Sequence, residues 1–248
     1  MLCGGCFPNL KEVGFTCFSQ FDEDGLLLYI FALIGFNSKV FIDIGAGDGI
    51  NSNCANLAMN WGWTGLFIDG NPNSIAQGEN YYSKHPNTWA YPPKFLNAFI
   101  KAENINELIS GQGISGEIDF LSIDIDGNDY WIFKALNCIS PRVVMIETHI
   151  ELGMNAIVVP YDPNYTYPSS IHPDYFGASA PAMVKLFKEK GYRLIGSNSY
   201  GFNLIFMRED EGKEYFPEIT AEAVLSHPRN TERMKIFESI SKLEYIHV

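Results

Sequence analysis

The run VFIDIGAGDGINSN at residues 40–53 constrains this chain more than any other stretch, because a short apolar segment of β type runs straight into Gly45, Gly47 and Gly49 and then into helix-compatible sequence. Glycines at such a turn accept positive φ and let the backbone approach a ligand, while the following helix offers free amides and the positive end of its dipole. Strand, glycine turn and helix in that order is the repeating unit of a parallel sheet. The flanking sequence continues the pattern. Apolar segments at 65–70, 94–99, 118–124 and 142–148 alternate with helix-compatible segments at 51–60, 72–83, 102–110 and 128–137. Strands that are apolar almost throughout, rather than alternating, belong to a sheet covered on both faces. A helix at 26–36 precedes the first strand. Another at 181–190, closed by Gly191, leads to two strands at 192–198 and 203–209 that read as a hairpin around Tyr200 and Gly201. The expectation is an α/β fold with a central, mostly parallel seven-stranded sheet, a terminal antiparallel hairpin and helices on both faces.

Length and charge narrow the function. The 248 residues suit a single domain over 1–248, with an insertion at about 150–180 and a helical tail at about 217–248. Seventeen basic against 29 acidic residues leave a net charge of −12 with no basic cluster, which argues against nucleic acid and anionic membranes and favours a small-molecule substrate. No apolar run is long enough for a membrane span, and the first residues lack the pattern of a signal peptide, so a cytoplasmic location is expected. Cys3 and Cys6 form one CxxC without a second metal-binding pair, and Cys17, Cys54 and Cys138 read as small buried residues.

The glycine turn has the spacing G-x-G-x-G, not the G-x-G-x-x-G of dinucleotide sites, which demotes a nicotinamide cofactor. Asp43 precedes the turn at the cofactor end of its strand, where a carboxylate attracts a cation. Asp69 ends the second strand, where nucleotide-binding folds place a carboxylate on the ribose hydroxyls. With DIGAGDG and Asp69 in place, the sequence resembles the class I S-adenosylmethionine-dependent methyltransferases. Within them it is similar to FkbM-type and related glycan-modifying enzymes, through SQFDEDGLL at 19–27, AFIKAENINEL at 98–108 and FLSIDIDGNDYWIFKAL at 120–136, over residues 19–209. The resemblance implies a Rossmann-like fold with S-adenosylmethionine as cofactor. It implies that Asp43, Gly45 and Gly47 line the cofactor, Asp69 holds the ribose, Asn97 and Ala98 lie near the adenine, and Asp124 sits near the methionine moiety, which Gln20 and Glu23 also reach. A capping role for the acidic segment around Glu23 is the alternative.

Acidic residues gather where the fourth and fifth strands end: Asp124, Asp126 and Asp129, then Glu147, His149 and Glu151. Such a crevice suits a sulfonium ion or a hard divalent cation such as magnesium. Some sugar methyltransferases of the superfamily hold magnesium at matching positions, which here are Asp126 and Glu147, with Thr148 breaking the acidic pair and His149 as the substitute. Methyl transfer also needs a proton acceptor; His149 is the first candidate and Asp126 the second, with His172 as a further option. The aromatic, proline-rich insertion offers Tyr161, Tyr165, Tyr167, His172 and Tyr175 to a polar cyclic acceptor such as a sugar or nucleotide-linked sugar, or else to a second copy in a homo-oligomer. The activity expected is O-methylation in surface-glycan or natural-product biosynthesis. A nicotinamide-dependent oxidoreductase or epimerase, and a non-catalytic binding protein retaining the fold, are the alternatives.

Overall fold

The structure, a computed structural model, describes residues 7–248. Cys3 and Cys6 lie outside the described residues. Five strands, β1 (Val40–Ile44), β2 (Thr64–Asp69), β3 (Lys94–Asn97), β4 (Gly116–Ile123) and β5 (Ile139–Glu147), run parallel. The short β6 (Ile157–Val158) leaves the sheet. The hairpin of β7 (Tyr192–Ser197) and β8 (Asn203–Arg208) returns to it, with β8 antiparallel to both neighbours, and the final order is β3-β2-β1-β4-β5-β8-β7. This is the Rossmann-like α/β fold with a terminal antiparallel hairpin anticipated from the sequence.

Burial explains the apolar strands. Phe41 and Ile42 are adjacent in β1, both wholly buried, and point to opposite faces. On one face, Phe41, Phe67 and Phe120 pack against Leu26, Leu27, Ile30 and Phe31 of α1 (Glu23–Ile34) and against α2 (Ala55–Trp61) and α3 (Pro72–Tyr82). On the other, Ile42, Ile44, Leu66 and Leu121 pack against α4 (Ile105–Gly111), α5 (Asp129–Ala135) and α6 (Ala180–Glu189), where Phe187 stacks between Phe133 and Phe206 at 3.8 and 3.7 Å. Each large side chain fully buried in this way contributes about 1.5–3 kcal/mol. Register follows from the same residues: Ile42 pairs with Leu66 of β2 and Leu121 of β4, so one apolar row crosses three strands.

Element ends differ from expectation where polar side chains intervene. The first helix starts at Glu23 rather than residue 26, because the Asp24 carboxylate gathers the backbone N–H groups of Cys17, Phe18 and Ser19 onto its first turn. The second starts at Ala55 rather than 51, since the Ser52 hydroxyl is drawn to Asp43 and the Asp48 carboxylate accepts the Ile50 N–H. Cys54 is buried and Cys138 half-buried, but Cys17 is exposed, because the turn that Asp24 organises turns it outward. Among the described residues no helix is long and apolar enough to cross a membrane.

The tail closes over the inserted segment. After α7 (Ala221–Leu225), α8 (Pro228–Met234) and α9 (Phe237–Ile240), the chain ends in β9 (Ile246–His247), which pairs antiparallel with β6. Leu152, Ile157 and Tyr175 of the insertion bury Ile240 of α9, and the Tyr175 hydroxyl donates to the Glu244 carbonyl.

Candidate functional site

The strand order reverses at β1, whose chain continues to β2 and β3 on one side while β4 and β5 lie on the other, so a crevice opens at the carboxyl ends of β1 and β4. The glycine turn shapes it. Gly45 has φ of 84°, and a Cβ there would stand 1.7 Å from the Asp124 carbonyl oxygen, so the turn lies flat on the end of β4 only without a side chain. Gly47 has φ of 58° and donates its N–H to Asp69 at 2.8 Å. The second Asp69 oxygen accepts the Asn71 N–H at 2.7 Å. Each oxygen keeps a lone pair for a further donor. Asp69 lines a cleft of about 290 Å³ together with Gly45, Gly70, Ala98, Phe99 and Asp124. Asn97 is not in this lining: its amide donates to the Asp69 carbonyl at 3.0 Å and ties β3 to β2. Phe99, 52% exposed, forms the cleft's flat wall. Its sequence signal was an aromatic residue closing the third apolar segment.

A smaller recess continues beneath the turn, where Gln20, Asp43, Gly45 and Asp124 meet Ser52, Ser122 and Asn203. Burial pushes the Asp43 carboxyl up to about 6, against the opposing effect of hydroxyl donors from Ser52 and Ser122. Glu23 is directed elsewhere. It is wholly buried, with one carboxylate oxygen taken by the side-chain amides of Asn198 and Asn203 at 2.9 and 3.0 Å and the other by the Phe21 N–H, so it joins α1 to the β7–β8 hairpin rather than facing this recess.

The acidic turn after β4 is built by Asp129. Its two oxygens accept the N–H groups of Ile125 and Gly127, each at 2.9 Å, and hold Asp126 at φ of 55°, a left-handed conformation that Asp tolerates better than most residues. Asp124, Asp126 and Glu147 thereby bring one carboxylate oxygen each within 4.8 Å of one another. His149, expected as a third ligand beside Asp126 and Glu147, is not in this group, and Asp124 replaces it. Burial and mutual repulsion raise the carboxyl groups of Asp124 and Glu147 well above the ordinary range, and burial raises Asp126. None of the three forms an ion pair among the described residues. Three hard oxygen donors without a counter-charge fit a divalent cation or a sulfonium. Thr148 spends its hydroxyl on the Ala178 carbonyl, which keeps it out of any ligand set.

A second cleft of about 260 Å³ adjoins the first. Asp126 and Tyr167 line both, and the second adds Glu147, His149, Phe176, Tyr200 and, from α8, Arg229, Asn230 and Arg233. His149 reaches this cleft as expected, yet its ring is committed. Nε2 lies 2.8 Å from the Asp174 carbonyl oxygen, Nδ1 lies 3.1 Å from the Glu151 carboxylate, and the ring packs on Phe176 at 4.0 Å, so both ring nitrogens already have protein partners. Burial lowers its pKa, with Glu151 pulling the other way. Arg233 completes the arrangement by pairing with Glu151. The helical spacing of the tail suggests packing against the sheet or a second copy, but Arg229, Asn230 and Arg233 carry no signal in the sequence that they line this cleft.

The insertion divides. Tyr167 is 56% exposed where the clefts meet, and Tyr165 lines the first, its ring against Gly127 and its buried hydroxyl without a hydrogen-bond partner among the described residues. Tyr161, Tyr175 and His172 line neither cleft. Tyr161 is held by Glu103 and the Ala102 N–H, Tyr175 by Glu244, and His172 accepts the Asp174 N–H within its own turn, so these three brace the insertion.

No family model matches the chain, and no curated protein matches its sequence. Among solved structures it is similar to a magnesium protoporphyrin IX methyltransferase from Synechocystis PCC 6803 with bound SAM, at 13% identity over 75% of this chain and 77% of that one, TM-score 0.45. It is similar to the N-terminal domain of EvdMO1 in the presence of SAH and D-fucose, at 12% identity over 80% and 93%, TM-score 0.49. An S-adenosylmethionine-dependent methyltransferase from Clostridium acetobutylicum ATCC 824 matches at 11% identity over 73% and 89%, TM-score 0.45.

Proposed function

We propose that the chain is an S-adenosylmethionine-dependent O-methyltransferase of a small polar acceptor, a sugar or nucleotide-linked sugar, with the cofactor in the first cleft and the acceptor in the second. The observation that carries this reading is the junction: a cleft shaped for a nucleoside by Gly45, Asp69 and Phe99 meets an aromatic, acid-lined cleft at Asp126 and Tyr167. Asp69 would accept the ribose hydroxyls, Phe99 and Ala98 would cover the adenine, and Gln20, Asp43 and Asp124 would surround the methionine end. The sulfonium then lies among carboxylates that have no other counter-charge, which favours the charged cofactor electrostatically.

In the reaction the acceptor oxygen attacks the methyl carbon, the S–CH₃ bond breaks with its electron pair retained by sulfur, and the acceptor proton passes to a base. Alignment of the two reactants supplies about 7–11 kcal/mol in favourable cases, so placing the acceptor is the chain's main task. Asp126 is the base in this reading. It lies at the junction with a raised pKa, whereas His149 has both ring nitrogens committed. Asp124, Asp126 and Glu147 would hold a divalent cation such as magnesium, which when bound would lower the pKa of the acceptor hydroxyl, with Asp126 then its ligand instead of the base. The faces of Phe176, Tyr200 and Tyr167 suit a sugar ring, with Glu147 as hydrogen-bond acceptor.

The test is a calorimetric titration with S-adenosylhomocysteine and, as a matched comparison, NAD, on the wild type and on Asp69→Ala. Micromolar binding of the former only, weakened at least about tenfold by the substitution, is expected. Binding of NAD alone would transfer the site to a nicotinamide enzyme. Cofactor binding without methyl transfer to any of a sugar and sugar-nucleotide panel would favour a binding protein.

A further inference from the structure

We infer, on the reading of the second cleft as the acceptor site, that the acceptor carries an anionic oxygen group, carboxylate or phosphoryl, held by Arg229. The chain has five arginines, and four are spoken for. Arg142 pairs with Asp119 and Glu211, Arg208 with Glu117, Asp210 and Glu211, and Arg233 with Glu151, while Arg193 donates to the carbonyls of Arg208, Glu211 and Phe216. Arg229 alone has no ion pair and no side-chain hydrogen bond among the described residues. It is exposed, lines the second cleft, and rests with its guanidinium carbon 5.0 Å from the centre of the Tyr200 ring.

Its neighbour carries an independent sign of a missing partner. Asn230 is wholly buried in the same lining, gives its amide N–H to the Tyr200 carbonyl at 2.8 Å, and leaves Oδ1 without a hydrogen-bond partner among the described residues. A buried amide oxygen in that state is destabilising unless a donor arrives. One turn of α8 therefore offers a planar, permanently charged fork steadied on an aromatic face and an acceptor wanting an O–H or N–H. The fork matches the paired oxygens of a carboxylate or phosphate. An acceptor with an acid group at Arg229 and hydroxyls elsewhere satisfies both. Repulsion from the acids of this cleft is partly cancelled, since Glu151 is balanced by Arg233. In a chain of net charge −12, a free guanidinium here is not a sample of a generally basic surface.

Protein labelled with ¹⁵N and saturated with S-adenosylhomocysteine is titrated with inorganic phosphate, against chloride at matched ionic strength, while the arginine Nε–H signals are followed. The Arg229 signal should move saturably with phosphate alone, those of Arg142, Arg193 and Arg208 should stay, and Arg229→Gln should abolish the saturable response. An Arg229 signal that does not saturate, or that responds equally to chloride, overturns the inference. Glucuronate, glucose 6-phosphate and glucose then separate the two anion sources. Whichever anion is right should bind at least about tenfold more tightly than glucose, an advantage lost in Arg229→Gln, and equal binding of all three overturns the inference again. Failure of S-adenosylhomocysteine to bind rejects the cofactor reading instead, so the two failures are distinguishable.

Discussion

Gly45 is the position where one added methyl group does the most harm. Alanine there would meet the Asp124 carbonyl oxygen at 1.7 Å and hold an unfavourable φ of 84°. Gly45→Ala is expected to cost on the order of 3 kcal/mol or more in urea denaturation, and a loss under about 1 kcal/mol would show that β1 and β4 can part at that point. Asp119 is a counterpart away from the clefts. Wholly buried, it pairs with Arg142 at 2.8 Å and accepts the N–H groups of Asn37, Ser38 and Lys39. Asp119→Asn leaves Arg142 paired with Glu211 but removes the charge on which three backbone N–H groups converge, and should cost about 1–3 kcal/mol while leaving cofactor affinity in the folded protein within about twofold. In the sequence Asp119 is one acid in an apolar strand and looks no different from Asp124.

At the scale of elements, α8 is the piece whose placement decides the second cleft. Its dock on the turn after β5 runs through Arg233 and the buried Glu151, which in turn faces His149. Burial chiefly holds the His149 pKa down, and the positive charge of Arg233 adds to that. Arg233→Ala should therefore raise the imidazole midpoint in an NMR titration and cost stability, without changing affinity for S-adenosylhomocysteine, because Arg233 lines only the second cleft. An unmoved midpoint would mean that α8 does not stay docked in solution.

The molecule as a whole carries its acids in two different conditions. Asp43 and Asp129 are raised by burial to about 6, so in the folded state they bind protons that the unfolded chain has released. Their contribution is present below the ordinary carboxylate pKa near 3.8 and is lost as pH rises through about 6, up to on the order of 3 kcal/mol for each. Asp119 has the opposite sign: its pKa is lowered, with the Arg142 guanidinium and backbone N–H donors outweighing its burial, and its stabilisation is lost only as pH falls below the ordinary range. Cofactor-free protein should thus be more stable at pH 5 than at pH 7.5 in urea titrations, and S-adenosylmethionine, which brings a positive charge to the cluster, should narrow that difference. A stability that rises steadily from pH 5 to 7.5 would contradict the burial of these carboxyls.

Local chemistry alone determined the sheet, its apolar strands, the glycine turn and the carboxylate at the end of β2, because each depends on residues adjacent in the chain. That Gly45, Asp69, Ala98 and Asp124 share one cleft follows from the same strand ends. The directions of the Asn97 and Glu23 side chains were not legible, since a side chain's direction at a strand or helix end depends on which distant donor or acceptor claims it: the Asp69 carbonyl in one case, Asn198 and Asn203 in the other. The tertiary structure also decided that His149 is committed on both nitrogens, that Asp124 joins Asp126 and Glu147, and that α8 brings Arg229 and Asn230 to the second cleft. Such contacts join segments up to 180 residues apart, and no local pattern encodes a pairing that only the closed sheet brings within reach.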